Sequence, residues 1–319
     1  MLNIGVFGAG HLGKIHLKLL DKSKYYNLIG FYDSNKDNAI KTSNELNYIS
    51  FESPEELISK CDVIDIVTPT SFHHKIALLA LKNNCHVFIE KPITKTLDEA
   101  KELIELSFLN NLKGQVGHVE RFNPAFRESK PHITNPMFIE SHRLAEFNPR
   151  GTDVPVVLDL MIHDIDIILS LVKSPIKSIN ASGVKVISKT PDIANARIEF
   201  LNGCVANLTA SRISMKQMRK SRFFQNDAYI SIDFLKKKAE IVKMIEVPKN
   251  RNDMGLILKN TEGKKKQIYF ENPKINDSNA ILDELESFAQ SIKNNEKPIV
   301  DLNDGYVALE TAQRIIDSY

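Results

Sequence analysis

The chain lacks paired cysteines. Cys61, Cys85 and Cys204 are odd in number and far apart, with no Cys-x-x-Cys to suggest zinc or a redox couple, so they read as reduced, half-buried fillers of a cytoplasmic protein. Long apolar runs are missing too: nothing approaches the ~18 residues that a bilayer span needs. The N-terminus, MLNIGVFGAG, has no basic region leading into an apolar stretch. A soluble, unexported protein with no membrane partner is therefore expected. Nor is there an excess of one charge. With 42 basic against 40 acidic side chains the net is +2, which gives no field for a polyanion and excludes nucleic acid as the first partner to consider. Repeats, low-complexity tracts and flexible linkers are also absent.

What is there fits two domains, or one elaborated domain, since 319 residues exceed the usual size of one hydrophobic core. Up to about residue 118, strand-like runs at 3–7, 27–33, 63–68, 86–90 and 114–119 alternate with segments whose apolar residues recur at three and four. This predicts a doubly wound parallel sheet, a Rossmann domain over 1–119. From 120 to 319 the pattern changes. An apolar helix at roughly 155–172 precedes long extended stretches, with hairpin turns expected at Asn202-Gly203 and Glu262-Gly263. The expected second domain is α/β with a large, mostly antiparallel open sheet, and the closing helices within 279–319 are free to pack back on the first domain.

GAGHLG at 8–13 follows a strand and opens a helix, the context in which G-x-G-x-x-G reads as a dinucleotide site. Gly8 allows the tight turn, Gly10 admits a pyrophosphate to the backbone, and Gly13 brings helix and strand close. His11 and Leu12 sit at the helix start, whose free N–H groups face phosphate. Asp33, ending the next strand, is placed to accept from the adenosine ribose diol and to repel a 2′-phosphate. NAD is therefore favoured, while Lys36, among SNKDN at 34–38, keeps NADP open. TPTSFH (68–73) follows the strand at 63–68 and puts Thr68, Pro69 and His73 near a nicotinamide or its ribose. For His73, a histidine that merely starts a helix is an equal alternative.

FIEKPIT (88–94) sets Glu90, Lys91 and Pro92 at the carboxyl end of another strand. Lys91 would face the cofactor crevice, where acid–base work is favoured, and the following proline, with fixed φ or a cis bond, would aim it. Taken alone it is an ordinary strand-end lysine. In VVLDLMIHDIDIILSLV (156–172), Asp159, His163 and Asp166 fall within about 60° on a helix of ~100° per residue. Apolar residues take up most of the remaining circumference, so the helix is buried and its polar stripe either is satisfied internally or lines a cavity. A catalytic His163 oriented by Asp159 is the favoured reading, with Asp166 a tether and Asp164, on another face, structural. Metal ligation is not expected, because the stripe offers too few ligands and no His-x-x-x-His.

GAGHLG, Asp33, TPTSFH, EKP at 90–92 and D-x-x-x-H at 159–163, in this order, resemble the Gfo/Idh/MocA family, named for glucose–fructose oxidoreductase and inositol dehydrogenase. The resemblance spans essentially the whole chain. It implies an NAD(P)-dependent dehydrogenase acting on CH–OH groups, with Lys91 and His163 catalytic and Asp159 supporting them. It also implies a homodimer or homotetramer built through the second sheet. A narrower likeness, in GHVERFNPAFR (117–127) and RGTDVPVVLDLMIHDIDI (150–167), is to the bacterial UDP-N-acetylglucosamine 3-dehydrogenase group and related nucleotide-sugar enzymes. On that likeness Glu120, Arg121 and Asn123 would line the sugar pocket. The basic stretch at 211–222, with Arg212, Lys216, Arg219 and Arg222, either receives a diphosphate or is a solvated loop. Two other functions stay open: a dehydrogenase of a free cyclitol, sugar or dihydrodiol, and an NAD-sensing regulator without chemistry. The sequence also leaves open whether Lys91 or His163 is the base.

Overall fold

The computed structural model describes residues 1–148, 154–246, 256–259 and 265–319. They divide into two compact units, one of 1–122 and 279–310, the other of 123–278 and 311–319.

The first unit is built on β1 (Leu2–Phe7), β2 (Tyr26–Tyr32), β3 (Val63–Ile66), β4 (His86–Glu90) and β5 (Gly114–Gly117). They form one sheet in the order β2-β1-β3-β4-β5, and every pairing is parallel. The connecting helices are α1 (His11–Leu20), α2 (Lys36–Leu46), the short α3 (Pro54–Ile58), α4 (His73–Lys82) and α5 (Leu97–Leu109). The starts of these helices are written in the sequence. Asn35 and Ser53 cap α2 and α3, and Thr96 with Glu99 forms a full capping box on α5. Each cap of this kind contributes roughly 1 kcal/mol. The strands are apolar on both faces because both are covered. Ile4 and Val6 join a core with Leu17 and Leu20 of α1 and Leu285 and Phe288 from the C-terminal part of the chain. On the other face, a Cβ at Gly5 would meet Leu57 of α3 at 2.8 Å.

The second unit opens with α6 (Pro124–Ser129) and β6 (Phe138–Leu144), followed by α7 (Ile162–Leu171). Its remaining strands are β7 (Ile176–Val184), β8 (Ile193–Phe200), β9 (Val205–Ser211), β10 (Met218–Phe224), β11 (Ala228–Asp233), β12 (Lys238–Glu246), β13 (Leu256–Lys259) and β14 (Lys265–Glu271). The nine-stranded sheet runs β13-β14-β12-β11-β10-β6-β9-β8-β7, antiparallel throughout except for β6 with β9. Alternation gives it one core face, where Ala194, Ala196, Ile198, Leu208 and Ile230 meet Ile165 and Ile168 of α7. Its other face is mixed: Arg222 pairs Glu140 at 2.8 Å across β10 and β6, and Phe138, Phe224 and Tyr229 cluster beside them. The chain ends in α8 (Ala280–Lys293) and α9 (Leu302–Ile316).

Three expectations need correction or completion. The apolar helix is not uniform: a π-turn over Val157–Met161 precedes α7, so the α-helical spacing used to align Asp159 with His163 and Asp166 does not hold across it. The basic stretch at 211–222 is not a single loop, because its last five residues belong to β10, an interior strand. The turn at Asn202-Gly203 is present, with Gly203 at φ +86°, whereas Glu262-Gly263 lies outside the described residues.

Candidate active site

The glycine turn between β1 and α1 is shaped as the three spacings require. Gly8 has φ +95°, and a Cβ there would lie 2.6 Å from the Val67 carbonyl oxygen. A Cβ on Gly13 would sit 1.9 Å from the Gly8 carbonyl oxygen, so only glycine lets α1 start there. Gly10 is different: nothing lies within 4 Å of a Cβ built on it, so the space it keeps clear is open to a ligand. His11 is exposed and Leu12 half-buried at the start of α1, where backbone N–H groups have no helical acceptor.

Asp33, one residue past β2, is drawn onto this turn. Its Oδ2 accepts from the Ala9 N–H at 2.8 Å and from Asn38 Nδ2 at 2.8 Å, and its Oδ1 accepts from the Asn35 N–H at 2.8 Å. Asn38 also donates to the Ala9 carbonyl at 3.2 Å, locking carboxylate and turn together. A cavity of about 400 Å³ opens here, lined by Gly8, Asp33, Thr68, Pro69 and Phe72 among others. Thr68 Oγ1 has no protein partner in it.

His73 is not aimed at open space. It is buried, with Nε2 2.8 Å from the Thr68 carbonyl oxygen and Nδ1 2.9 Å from that of Pro92. Burial pulls its pKa below the usual histidine value. It braces the turn after β3 against the turn after β4. On that second turn Glu90 and Lys91 are half-buried, and the Lys91-Pro92 bond is cis.

Behind Lys91 lies a group of charges that strand and helix spacing do not reveal. His16 of α1 is fully buried, its Nδ1 2.9 Å from Asp65 Oδ2 and its Nε2 3.5 Å from Glu90 Oε1. Burial opposes a charge on this ring, yet Asp65 and then Glu90 outweigh it and push the pKa up to about 10. Burial raises the Asp65 carboxyl above its ordinary value, with His16 acting against it. For Glu90 burial also opposes ionisation, but His16 and Lys91 prevail and the carboxyl is held below its usual range.

In the second unit, Asp159 and His163 are half-buried, while Asp164 and Asp166 are buried. Asp164 has the structural task expected of it. Arg143 of β6 donates Nε to Oδ2 at 2.9 Å and Nη2 to Oδ1 at 3.0 Å, a two-pronged pair sealed from solvent. The other candidate residues are more buried than surface-binding groups would be. Glu120 and Arg121, just after β5, are 5% and 9% exposed. Asn123 caps α6 through the Ala125 N–H and donates to the Phe234 carbonyl at 3.0 Å. Arg212 is buried beside Asp192 and donates Nη2 to the Val154 carbonyl, while Arg222 pairs with Glu140, so the four basic residues do not form one exposed patch.

Comparison with known proteins shows the family. A family model described as the oxidoreductase family with an NAD-binding Rossmann fold matches residues 2–118, and one described as the GFO/IDH/MocA C-terminal domain matches residues 98–228. The UDP-N-acetylglucosamine 3-dehydrogenase of Acidithiobacillus ferrooxidans is 37% identical over 235 residues, 73% of this chain and 74% of that protein. The chain belongs to the Gfo/Idh/MocA family. The scyllo-inositol 2-dehydrogenase (NAD(+)) of Bacillus subtilis is 29% identical over 66% of this chain and 67% of its own. Among solved structures, the Acidithiobacillus ferrooxidans enzyme matches with a TM-score of 0.89 and 31% identity, covering 99% of this chain and 97% of that one.

The protein is thus an NAD-dependent oxidoreductase, and its residues fit the cofactor. The clear space over Gly10, the open helix start and the Asp33 carboxylate at the cavity edge are what a pyrophosphate and a ribose diol need. Among the described residues no cluster of three or more His, Cys, Asp or Glu is arranged to hold a metal ion, and no helix is long and apolar enough to cross a membrane. Sequence reasoning missed His16, Asp65, Asn38 and Arg143. Each acts through a partner distant in the chain. A polar residue within an apolar strand or helix was the available signal for His16 and Asp65, as it was for Asp164.

Proposed function

We propose that the protein oxidises a secondary hydroxyl of a nucleotide sugar, UDP-N-acetylglucosamine at C3, and passes the hydride to NAD. The observation that carries this reading is the 37% identity over 73% of the chain to an enzyme of that name. When bound, NAD supplies the electrophilic carbon that accepts the hydride. His163, an imidazole whose ordinary range brackets neutral pH, takes the hydroxyl proton, and Asp159 orients the ring. Lys91 holds the negative charge that develops on the oxygen. Glu120, Arg121, Asn123 and Arg212 hold the substrate or the backbone around it, Arg212 through its bond to Val154. The protein works in the cytoplasm as a homodimer or homotetramer assembled through its nine-stranded sheet, whose outer face mixes ion pairs with exposed aromatic rings.

NADH formation, followed by absorbance with UDP-N-acetylglucosamine, free N-acetylglucosamine, inositol and glucose, tests the reading. Turnover with the UDP-sugar alone, accompanied by a higher melting temperature in its presence, is the expected result. Turnover with inositol or glucose and none with the UDP-sugar would replace it with a free-cyclitol or free-sugar dehydrogenase.

A further inference from the structure

The buried charges of the first unit form a chain with an end. Asp65 on β3, His16 on α1, Glu90 closing β4 and Lys91 beyond it follow one another with alternating sign. Three contacts define it: His16 Nδ1 to Asp65 Oδ2 at 2.9 Å, His16 Nε2 to Glu90 Oε1 at 3.5 Å, and the Lys91 backbone N–H donating to Glu90 Oε2 at 3.1 Å. Glu90 thus has one carboxylate oxygen on the histidine and the other on the lysine's own backbone. The surroundings are cut to this shape. A Cβ at Gly117 on β5 would lie 2.9 Å from the Glu90 carboxyl carbon, so glycine leaves the room that the carboxylate occupies. The Phe88 ring packs edge-on against His16, with centroids 6.0 Å apart.

We propose that His16 is a positioning residue for Lys91: it bridges Asp65 to Glu90, and Glu90 fixes the turn that carries the lysine. The proposal rests on Lys91 acting in the reaction. Both ring nitrogens face carboxylates, and only an imidazolium turns an N–H toward each: Nδ1 hydrogen-bonds Asp65, and Nε2 makes an ion-pair contact with Glu90 at 3.5 Å. A plain packing role would be served by an apolar side chain at position 16, without the desolvation that this arrangement accepts. The benefit appears where the chain ends. Glu90 stays an ionised acceptor beside Lys91 because His16 offsets its burial, and the backbone N–H of Lys91 keeps the same acceptor in every molecule. The titratable groups facing the chain are Tyr26 on β2, beside Asp65, and His73 on α4, beside Glu90.

Two measurements test this on the full-length protein. In the wild type, the His16 imidazole resonances, assigned by their loss in His16→Gln, should show a charged ring at pH 8. A neutral ring at that pH overturns the bridge. In His16→Gln, kcat should fall on the order of tenfold at pH 7 and the pH–rate profile should move by about one unit. NAD affinity by calorimetry should change less than twofold. The double variant His16→Gln/Asp65→Asn should be no slower than the slower of its two single variants. Glu90→Gln, which leaves the His16–Asp65 bond in place, gives the same loss and serves if His16→Gln does not fold. Full turnover with an unmoved pH profile in His16→Gln or Glu90→Gln contradicts the proposal. Undiminished turnover in Lys91→Ala contradicts the catalytic reading instead, and the His16 titration then still decides whether the bridge exists.

Discussion

Each unit buries ionised side chains, and the two do it differently. In the second, Arg143 and Asp164 face one another with two hydrogen bonds and both side chains under 5% exposed, and the pair ties β6 to α7. In the first, His16 stands between two carboxylates, and one of them, Glu90, is 14% exposed and touches the backbone of Lys91. That pair fixes a strand to a helix. The chain of charges leads from the middle of a Rossmann sheet to the strand end that carries Lys91. A buried charge is therefore informative mainly through what its last member touches.

This contrast can be broken at either end. The largest effect is expected at the open end: Lys91→Ala should lower kcat on the order of 10²- to 10⁴-fold while NAD affinity and melting temperature are nearly kept, as read by steady-state kinetics beside calorimetry. Next comes the Arg143–Asp164 pair. Asp164→Ala removes the carboxylate that accepts two hydrogen bonds from the buried Arg143 guanidinium and should cost about 3–5 kcal/mol of stability by denaturant titration, with turnover per folded molecule unchanged. Smaller, and sharper in its logic, is the glycine comparison. Gly13→Ala forces a Cβ into the Gly8 carbonyl and should destabilise the fold by about 1–3 kcal/mol. Gly10→Ala meets no protein atom, so it should leave the melting temperature alone and weaken NAD binding. The smallest effect is on pH dependence. His16 binds its proton more tightly in the fold, about 10 against 6.5, so its contribution to stability is complete below pH 6.5 and is lost as pH rises through 10. Melting temperature should fall over that window more steeply in the wild type than in His16→Gln.

The same contrast explains what the sequence revealed. The Rossmann unit was legible because its signals are local. G-x-G-x-x-G, Asp33 and EKP lie at strand ends, and each is recognised from a few neighbours. β6 and β10 were not legible. Their inward positions include Ser141, Arg143 and Ser221, and the inward arginine is met by Asp164, which arrives from α7. A polar residue paired across 21 positions looks, in sequence, like a break in the apolar pattern. His16 shows the same break in the apolar pattern, but its partners, 49 and 74 residues further along, are not legible from it. The π-turn at Val157–Met161 also left no mark, since widening a helical turn requires no particular residue.

The central claim is hydride transfer from the sugar to NAD, and isotope transfer tests it most directly. With UDP-N-acetylglucosamine deuterated at C3, the account predicts that deuterium appears in the reduced nicotinamide and that Lys91→Ala slows its appearance on the order of 10²- to 10⁴-fold. Reduced nicotinamide formed without the label, or no reduction from this sugar at all, would contradict it.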